Sequence, residues 1–175
     1  MRPDSSLGVR VTEAGVETLA AVDSTFDNTY WYDLRARQPA AAFVKRMLDV
    51  VGALAILSAA APLMLVVVLL RRDAVVVRRS IGFRGTEFAR YTFRGRFASL
   101  PQLFNVLEGT MSLVGPRPLA VEECEDTHRR RFSVKPGLTG LWRVCDGDAS
   151  KLDREYVNRW SVRLDLEILA RTLFR

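Results

Sequence analysis

Basic side chains beside a stiffened turn are the residues of this sequence best suited to chemistry. Arg117 stands between two prolines, which restrict the backbone on both sides of it. A guanidinium held in this way can bind a phosphate or diphosphate through two parallel hydrogen bonds. Its alternative role is a structural ion pair that stabilises the turn. We predict a phosphate-binding set made of Arg94, Gly115, Pro116, Arg117, Pro118 and Lys135.

Ala98 and Ser99, which precede Leu100-Pro101-Gln102, offer little for nucleophilic catalysis. Ala98 has no nucleophilic atom. Ser99 has a hydroxyl, but no histidine is near it in sequence, and an unactivated serine is a poor nucleophile at neutral pH. Glu108, the nearest carboxylate on the following segment, is nearly three helical turns further on and should not reach the same point. No catalytic residue is predicted from this pattern.

The cysteines and the histidine do not form a metal-binding pattern. Cys124 and Cys145 are far apart, and His128 is the only histidine. Acidic residues surround Cys124, and they raise the pKa of a thiol rather than activate it. We therefore expect free thiols in a reducing compartment and predict no metal site from these residues.

Positive charge is placed on both sides of a long apolar run. The chain carries a net charge of +6. Lysines and arginines near a membrane segment are attracted to anionic lipid headgroups, and no zinc-finger or helix-turn-helix pattern competes with this interpretation. We expect a membrane partner and no nucleic acid. The flanking residues are Arg35, Arg37, Lys45 and Arg46 before the run, and Arg71, Arg72, Arg78 and Arg79 after it.

The apolar run itself extends from Val50 to Leu70. It holds about 21 residues without a charge, enough to cross a hydrocarbon core as a helix. Pro62 lies within it and removes a backbone hydrogen bond, and basic residues flank both ends rather than one. These features favour a re-entrant helix-break-helix that bends at Pro62 and returns to the same face. A spanning helix is the alternative.

The length of 175 residues indicates about one domain. We divide the chain into a polar N-terminal segment, 1–40, and a folded domain, 41–175, with the membrane segment at 45–72. Periodicity predicts a mostly α member of the α/β class with short strands. Strands are expected at 74–78, 87–91 and 112–114 and within 134–144. Helices are expected at 11–22, 100–107 (with Ser99 as N-cap and Gly109 at its end), 119–131, 150–160 (with Ser150 as cap) and 165–173.

Five ordered sequence blocks resemble the bacterial sugar transferases, the monotopic phosphoglycosyltransferases. The resemblance covers about residues 44–173 and begins with Lys45-Arg46 and Asp49. The blocks are Asn105-Val106-Leu107, Met111-Ser112-Leu113-Val114, Gly115-Pro116-Arg117-Pro118, Lys135-Pro136-Gly137-Leu138-Thr139-Gly140-Leu141-Trp142, and the group Tyr156-Val157, Trp160-Ser161 and Asp165-Leu166.

The resemblance implies a reaction and a location. Members of this family transfer a sugar-1-phosphate from a UDP-sugar to polyprenyl phosphate, in polysaccharide or glycoconjugate biosynthesis. The resemblance implies the cytoplasmic face of the bacterial inner membrane, a re-entrant helix-break-helix and a small cytoplasmic domain. It also implies an Asp-Glu dyad whose Asp is the nucleophile and whose carboxylates help to hold Mg²⁺.

The departures from the family pattern lie at the positions that carry the family's catalytic residues. Ala98 and Ser99 occupy the dyad positions, and some tens of residues that normally precede them are missing. Thr110, Arg143 and Ser80 replace an Asp, a Gln and an Arg. The shortened segment predicts reduced stability and impaired transfer. Two functions stay open: a transferase with a replacement nucleophile, and a non-catalytic member that binds prenyl phosphate or forms an oligomer with an active homologue.

Overall fold

The computed structural model describes residues 38–70, 75–95, 97–123 and 131–174. The predicted helix at 11–22, the basic residues at 71–72, Cys124 and His128 lie outside these residues, as does the segment 1–40 apart from its last three residues. In chain order the elements are α1 (Pro39–Leu70), β1 (Val75–Ile81), β2 (Glu87–Phe93), α2 (Gln102–Glu108), β3 (Ser112–Val114), β4 (Leu119–Ala120), β5 (Gly137–Thr139), α3 (Leu141–Val144), α4 (Ala149–Arg159) and α5 (Val162–Leu173).

Two small sheets lie within a mostly helical domain, so the predicted α/β class with short strands is confirmed. The first sheet is antiparallel, in the order β2-β1-β4. The second joins β3 and β5 in parallel. The predicted strands at 74–78, 87–91 and 112–114 correspond to β1, β2 and β3. The predicted helix at 100–107 corresponds to α2, which ends at Gly109 in the left-handed conformation as expected.

The main core forms where α2 and β3 meet the last two helices. Its completely or almost completely buried side chains lie at helical spacing on α2 and in succession on β3. All three residues of β3 are buried, so both faces of this short strand are covered. The members include Leu103, Val106, Met111, Val114, Tyr156 and Ile168, together with Ala53 from α1.

A buried ion pair fastens α1 to the rest of the domain. Lys45 Nζ lies 2.7 Å from Asp165 Oδ2 and donates to the Val114 carbonyl at 3.0 Å. Tyr156 donates to Asp165 Oδ1 at 2.7 Å, and the Trp160 indole donates to Oδ2 at 3.3 Å. Burial and the neighbouring Asp165 raise the pKa of Tyr156 well above its usual value, so the phenol stays a donor. Residues of α1, α4 and α5, with Trp160 just beyond α4, therefore meet at one carboxylate.

Two further side chains of α1 satisfy backbone groups of the domain. Arg46 donates to the Val106 and Leu107 carbonyls at 2.7 and 2.9 Å, near the C-terminal end of α2. A cation here also suits the helix dipole. The buried Asp49 carboxylate accepts from the Ser112 hydroxyl at 2.9 and 2.8 Å and from the backbone N–H of the next residue. The spacing of Lys45, Arg46 and Asp49 thus serves attachment rather than catalysis.

The apolar run forms one continuous helix, and the predicted helix-break-helix is not confirmed. Pro62 lies inside α1, which continues through it. Met64 packs against Phe93 at the end of β2, so the domain contacts α1 beyond the proline as well as before it. α1 is long and apolar enough to cross a membrane, and only 6% of its most apolar window is buried. Its exposed apolar surface suits lipid.

An asparagine covers the free edge of the first sheet. Asn105, fully buried on α2, donates from its amide to the Ala89 carbonyl at 2.8 Å and accepts from the Tyr91 N–H at 3.0 Å. These are the groups that a fourth strand beside β2 would use. The side chain therefore replaces a strand and binds α2 to the sheet.

Two predicted helix caps are wrong. Pro101, not Ser99, is the cap residue of α2, and no side chain caps that end. The Ser99 carbonyl instead accepts from the Gln102 N–H. Asp148, not Ser150, caps α4, because its carboxylate accepts from the Ser150 N–H at 2.8 Å. A carboxylate two residues earlier outcompetes the serine hydroxyl for the free N–H groups of the first turn.

The predicted helix at 119–131 is wrong at its start. Its first two residues form β4, which pairs with β1, and a short 3-10 turn follows at Val121–Glu123. Residues 124–130 lie outside the described part. Within 134–144 the strand is confirmed as β5, but its end is the short helix α3. Residues 119–120 form a strand because they pair with the distant β1, and local periodicity carries no information about such pairing.

Substitution of Lys45 by Met tests the buried ion pair. We expect Lys45→Met to lower the free energy of unfolding by about 3–5 kcal/mol, because it leaves the Asp165 carboxylate buried without its cation. Arg163→Met removes the exposed pair with Glu167 and is the matched control, expected to change nothing measurable. Chemical denaturation in detergent micelles measures both. Equal effects of the two variants would contradict the assignment.

The same variant carries a pH signature. Burial raises the pKa of the Asp165 carboxyl, and Lys45 opposes that rise. Without Lys45, the folded protein keeps the Asp165 carboxyl protonated to a higher pH than the unfolded chain does. The free energy of unfolding of the variant therefore falls as the pH rises above about 3.9, the pKa of an Asp carboxyl in the unfolded chain. The deficit of Lys45→Met relative to wild type should therefore be small at pH 4.5 and large at pH 7.5. A constant deficit between these pH values would contradict it.

Candidate functional site

One open cavity of about 220 Å³ brings the candidate chemistry together, and we call it the Ser99 cavity. It lies where the β1–β2 hairpin, the start of α2, the Arg117 turn, β5 and α3 meet. Most of its polar lining is basic. The lining residues are Arg78, Arg90, Ser99, Gln102, Arg117, Pro118, Ala120, Glu123, Gly137, Leu138, Trp142 and Arg143.

Two of the arginines are placed by strand register. Arg78 on β1 is directly opposite Arg90 on β2 in the antiparallel pair. Both side chains therefore leave the sheet on the same face, toward the cavity. Arg90 is half-buried, and burial together with the positive charges of Arg78 and Arg117 lowers the pKa of its guanidinium, with Glu123 opposing. Its Nε is buried and has no hydrogen-bond partner among the described residues.

The backbone of the Arg117 turn is held from behind. The Arg117 N–H donates to Asp153 Oδ1 at 3.0 Å, and the Arg117 carbonyl accepts from Arg131 at 2.6 Å. Arg131 and Asp153 are buried and form an ion pair at 2.5 Å. The side chain of Arg117 is half exposed and lies 3.9 Å from Glu123. The structural ion pair is thus supplied by other residues, and the Arg117 guanidinium extends into the cavity.

A close approach of two backbone segments sets the position of this turn. A Cβ atom at Gly137 would collide with the backbone nitrogen of Gly115, and one at Gly115 would collide with the Lys135 carbonyl. The Gly115 N–H donates to the Thr139 carbonyl at 2.9 Å, and the Trp142 indole donates to the Gly115 carbonyl at 3.1 Å. Glycine is required at both positions because the chains touch there.

Ser99 reaches the cavity through a short return from β2. The Phe93 N–H donates to the Ala98 carbonyl at 3.2 Å, so the chain turns back at the end of the strand and enters α2 directly. Ser99 lines the cavity, whereas Ala98 does not. The Ser99 hydroxyl has no hydrogen bond to a base within the described residues, so nothing there activates it as a nucleophile.

The oxygen donors of the cavity do not fit Mg²⁺. This ion requires near-octahedral oxygen ligands and is usually held through carboxylates. Glu123 is the single carboxylate among the described lining residues, and it faces Arg117. The described part of the chain holds no group of three or more His, Cys, Asp or Glu side chains that could hold a metal ion. Four arginines instead give the cavity a chemistry for anions.

The structure separates the predicted phosphate-binding residues. Arg117 and Pro118 line the Ser99 cavity, while Gly115 and Pro116 are buried within the turn and position it. Arg94 is exposed beyond the end of β2 and does not line the cavity. Lys135 lines a different cavity of about 80 Å³, together with Lys45, Arg46 and Asp49 of α1.

The sequence interpretation missed four polar residues of the cavity: Arg78, Arg90, Gln102 and Arg143. Arg78 was assigned only to the basic flank of the apolar run. The hairpin register would have found the strand pair, because strands at 75–81 and 87–93 around a turn centred on residue 84 place residues 78 and 90 opposite each other. Arg143 could have been singled out for a different reason, because it replaces the Gln that the family resemblance leads one to expect after Trp142.

Comparison with known proteins agrees with this arrangement. Residues 94–175 match the family model described as bacterial sugar transferase. This part of the chain belongs to the bacterial sugar transferase family. The matched range begins at the end of the β1–β2 hairpin and includes the turn, β5 and the last helices. The family resemblance drawn from the sequence blocks is thereby confirmed.

Three curated relatives illustrate the similarity. The galactosyl transferase CpsE of Streptococcus agalactiae is 38% identical over 122 residues, which cover 59% of this chain and 27% of the relative. The undecaprenyl-phosphate galactose phosphotransferase of Salmonella typhimurium is 40% identical over 98 residues (51% and 21%). The UDP-glucose:undecaprenyl-phosphate glucose-1-phosphate transferase of Xanthomonas campestris is 38% identical over 109 residues (53% and 22%). The chain spans about a quarter or less of their length.

Substitution of Gly137 tests the contact that positions the turn. Gly137→Ala should lower the free energy of unfolding by about 3 kcal/mol, because the added methyl meets backbone atoms that cannot move aside. Gly52→Ala on α1 is the control. There the methyl meets only the tip of the Leu113 side chain, and alanine favours the helix, so we expect a change below about 1 kcal/mol. Denaturant titration of both variants checks this, and an unchanged Gly137→Ala variant would contradict it.

Proposed function

We propose that this chain acts in bacterial polysaccharide or glycoconjugate biosynthesis. In this proposal it binds the phosphate groups of a UDP-sugar or of polyprenyl phosphate at the cytoplasmic face of the inner membrane, and its own sugar-1-phosphate transfer is impaired. The family match supports the pathway. The named relatives act on UDP-glucose or undecaprenyl phosphate by their names. The Ser99 cavity is the observation that supports phosphate binding.

The cavity supports binding because its arginines come from separate elements. Arg117 is presented by a turn held by buried polar contacts, Arg78 and Arg90 by paired strands, and Arg143 by α3. A ligand phosphate that enters can accept hydrogen bonds from several guanidinium groups at once, in fixed directions. Trp142 and Leu138 add apolar surface beside them.

Transfer needs more than binding. In the family reaction a nucleophile forms a bond to the phosphorus that carries the sugar, and UMP leaves. For Ser99 to perform this step its hydroxyl proton must pass to a base. Glu123 is the single carboxylate among the described lining residues, and it lies 3.9 Å from Arg117 rather than hydrogen-bonded to the Ser99 hydroxyl. The lack of a base bonded to Ser99 within the described residues supports impaired turnover.

The membrane position follows from the contacts of α1. Lys45 near its start and Met64 near its end both contact the same globular domain. Residues 45 and 64 are about 28 Å apart along a helix axis, close to the thickness of a hydrocarbon core. A domain on one side of the bilayer cannot contact both ends of a straight spanning helix. We therefore propose that α1 enters the membrane from the cytoplasmic face and does not cross it.

The alternative function is a non-catalytic partner. Ala98 at one dyad position and the unactivated Ser99 at the other favour it. Such a chain would bind prenyl phosphate, or an active homologue in a homo- or hetero-oligomer, and regulate synthesis without turnover. It shares the phosphate-binding cavity with the first proposal and differs from it only in transfer.

Release of UMP from UDP-sugars tests the proposed function. The purified chain in nanodiscs is given polyprenyl phosphate, Mg²⁺ and a panel of UDP-sugars, with a full-length relative as the active control. We expect UMP release at least about 1,000-fold slower than that of the relative, because removal of one essential catalytic group has at least this effect.

Two variants show whether any residual UMP release depends on Ser99 and Arg117. Lipid-dependent UMP release that is lost in both Ser99→Ala and Arg117→Ala would make Ser99 a replacement nucleophile. Release at the rate of the relative would contradict the proposed impairment. Complete silence, with UDP-sugar binding retained, would leave the non-catalytic partner as the function.

A further inference from the structure

The described lining of the Ser99 cavity is predominantly basic. Four arginines line it, and Glu123 is the single carboxylate among its described lining residues. In the family pattern the dyad adds two carboxylates at the positions that Ala98 and Ser99 occupy here.

This positive charge is unfavourable in the ligand-free protein. Arg78 and Arg90 are directly opposite in the hairpin, where like charges destabilise a strand pair. Arg90 is half-buried, and its Nε is enclosed without a hydrogen-bond partner among the described residues. Arg90 Nη1 donates to the Pro118 carbonyl at the long distance of 3.5 Å. Strain of this kind at the lining of a cavity is typical of a functional site.

An anion would relieve the repulsion. A phosphate oxygen between Arg78 and Arg90 would screen their charges and accept hydrogen bonds from their terminal guanidinium nitrogens. A diphosphate ester carries about two negative charges at neutral pH, which two guanidinium groups can balance. The divalent cation that family members need to neutralise a diphosphate is then redundant. A guanidinium offers the same charge with directed donors and needs no carboxylate ligand.

We propose that Arg78, Arg90, Arg117 and Arg143 replace a divalent cation, so that this chain binds the diphosphate of its ligand without metal. The inference rests on the proposed phosphate-binding function and goes beyond it, since the family resemblance implies Mg²⁺. Arg78, Arg90 and Arg143 lie outside the five sequence blocks that resemble the family.

Calorimetric titration of UDP into the full chain in nanodiscs tests the proposal. One series contains EDTA and the other contains excess Mg²⁺. We expect the dissociation constant for UDP in EDTA to lie within about threefold of its value in Mg²⁺. A third series with a short-chain prenyl phosphate in EDTA separates the two phosphate sources. Tighter binding of UDP than of prenyl phosphate is expected, because UDP carries two phosphates and the lipid carries one.

Charge-removing variants locate the binding. Arg90→Gln should weaken UDP binding in EDTA at least about tenfold, in line with the loss of one charged hydrogen-bond partner. It should also raise the melting temperature of the ligand-free protein, because the repulsion from Arg78 disappears. Arg79→Gln is the matched control: Arg79 is the next residue on β1, on the opposite face, 83% exposed. Its loss removes the same net charge and should change UDP affinity less than twofold.

The outcomes separate this inference from the proposed function. Binding of UDP that appears only with Mg²⁺ overturns the arginine clamp and leaves phosphate binding intact. Equal losses in Arg90→Gln and Arg79→Gln also overturn the clamp, because net charge alone would then explain binding. No binding of UDP or prenyl phosphate in either series, by protein with native circular dichroism, overturns both proposals.

Discussion

A single carboxylate, Asp165, joins the long apolar helix α1 to the rest of the domain. It forms an ion pair with Lys45 on α1. It also accepts hydrogen bonds from Tyr156 on α4 and from Trp160 just beyond that helix. Lys45 and Tyr156 also bind the Val114 carbonyl at the end of β3, one residue before the turn that carries Arg117. The geometry of the Ser99 cavity thus depends on a polar network that lies outside it. A network of this kind keeps one arrangement because each member needs all the others as partners.

The local elements could be predicted from sequence because their signals are local. Alternation and periodicity located the hairpin strands, α2 and the last helices, and glycine marked the end of α2. The failures have nonlocal causes. Leu119 and Ala120 became a strand because β1 is nearby, and no pattern within residues 119–131 records that neighbour. The helix-break-helix at Pro62 is not confirmed, since α1 continues through the proline and Met64 packs on Phe93 beyond it.

The candidate site was predictable only in part, for the same reason. The two prolines that flank Arg117 in the sequence predicted its role, and its side chain does line the cavity. Arg94 and Lys135 shared its charge but not its location, because charge type carries no information about which face of an element a residue occupies. Arg78 and Arg90 needed the register of the hairpin. The absent dyad was visible in the sequence at once, whereas the arginines that surround its position became visible only in three dimensions.

The amide of Asn105 has a consequence for association between molecules. An exposed edge strand presents unpaired N–H and C=O groups to any other extended chain, and this makes it a template for aggregation. β2 is such an edge, and its central groups at Ala89 and Tyr91 are already occupied by a side chain of the same molecule. The centre of this edge is therefore already blocked to an extended segment of a second copy.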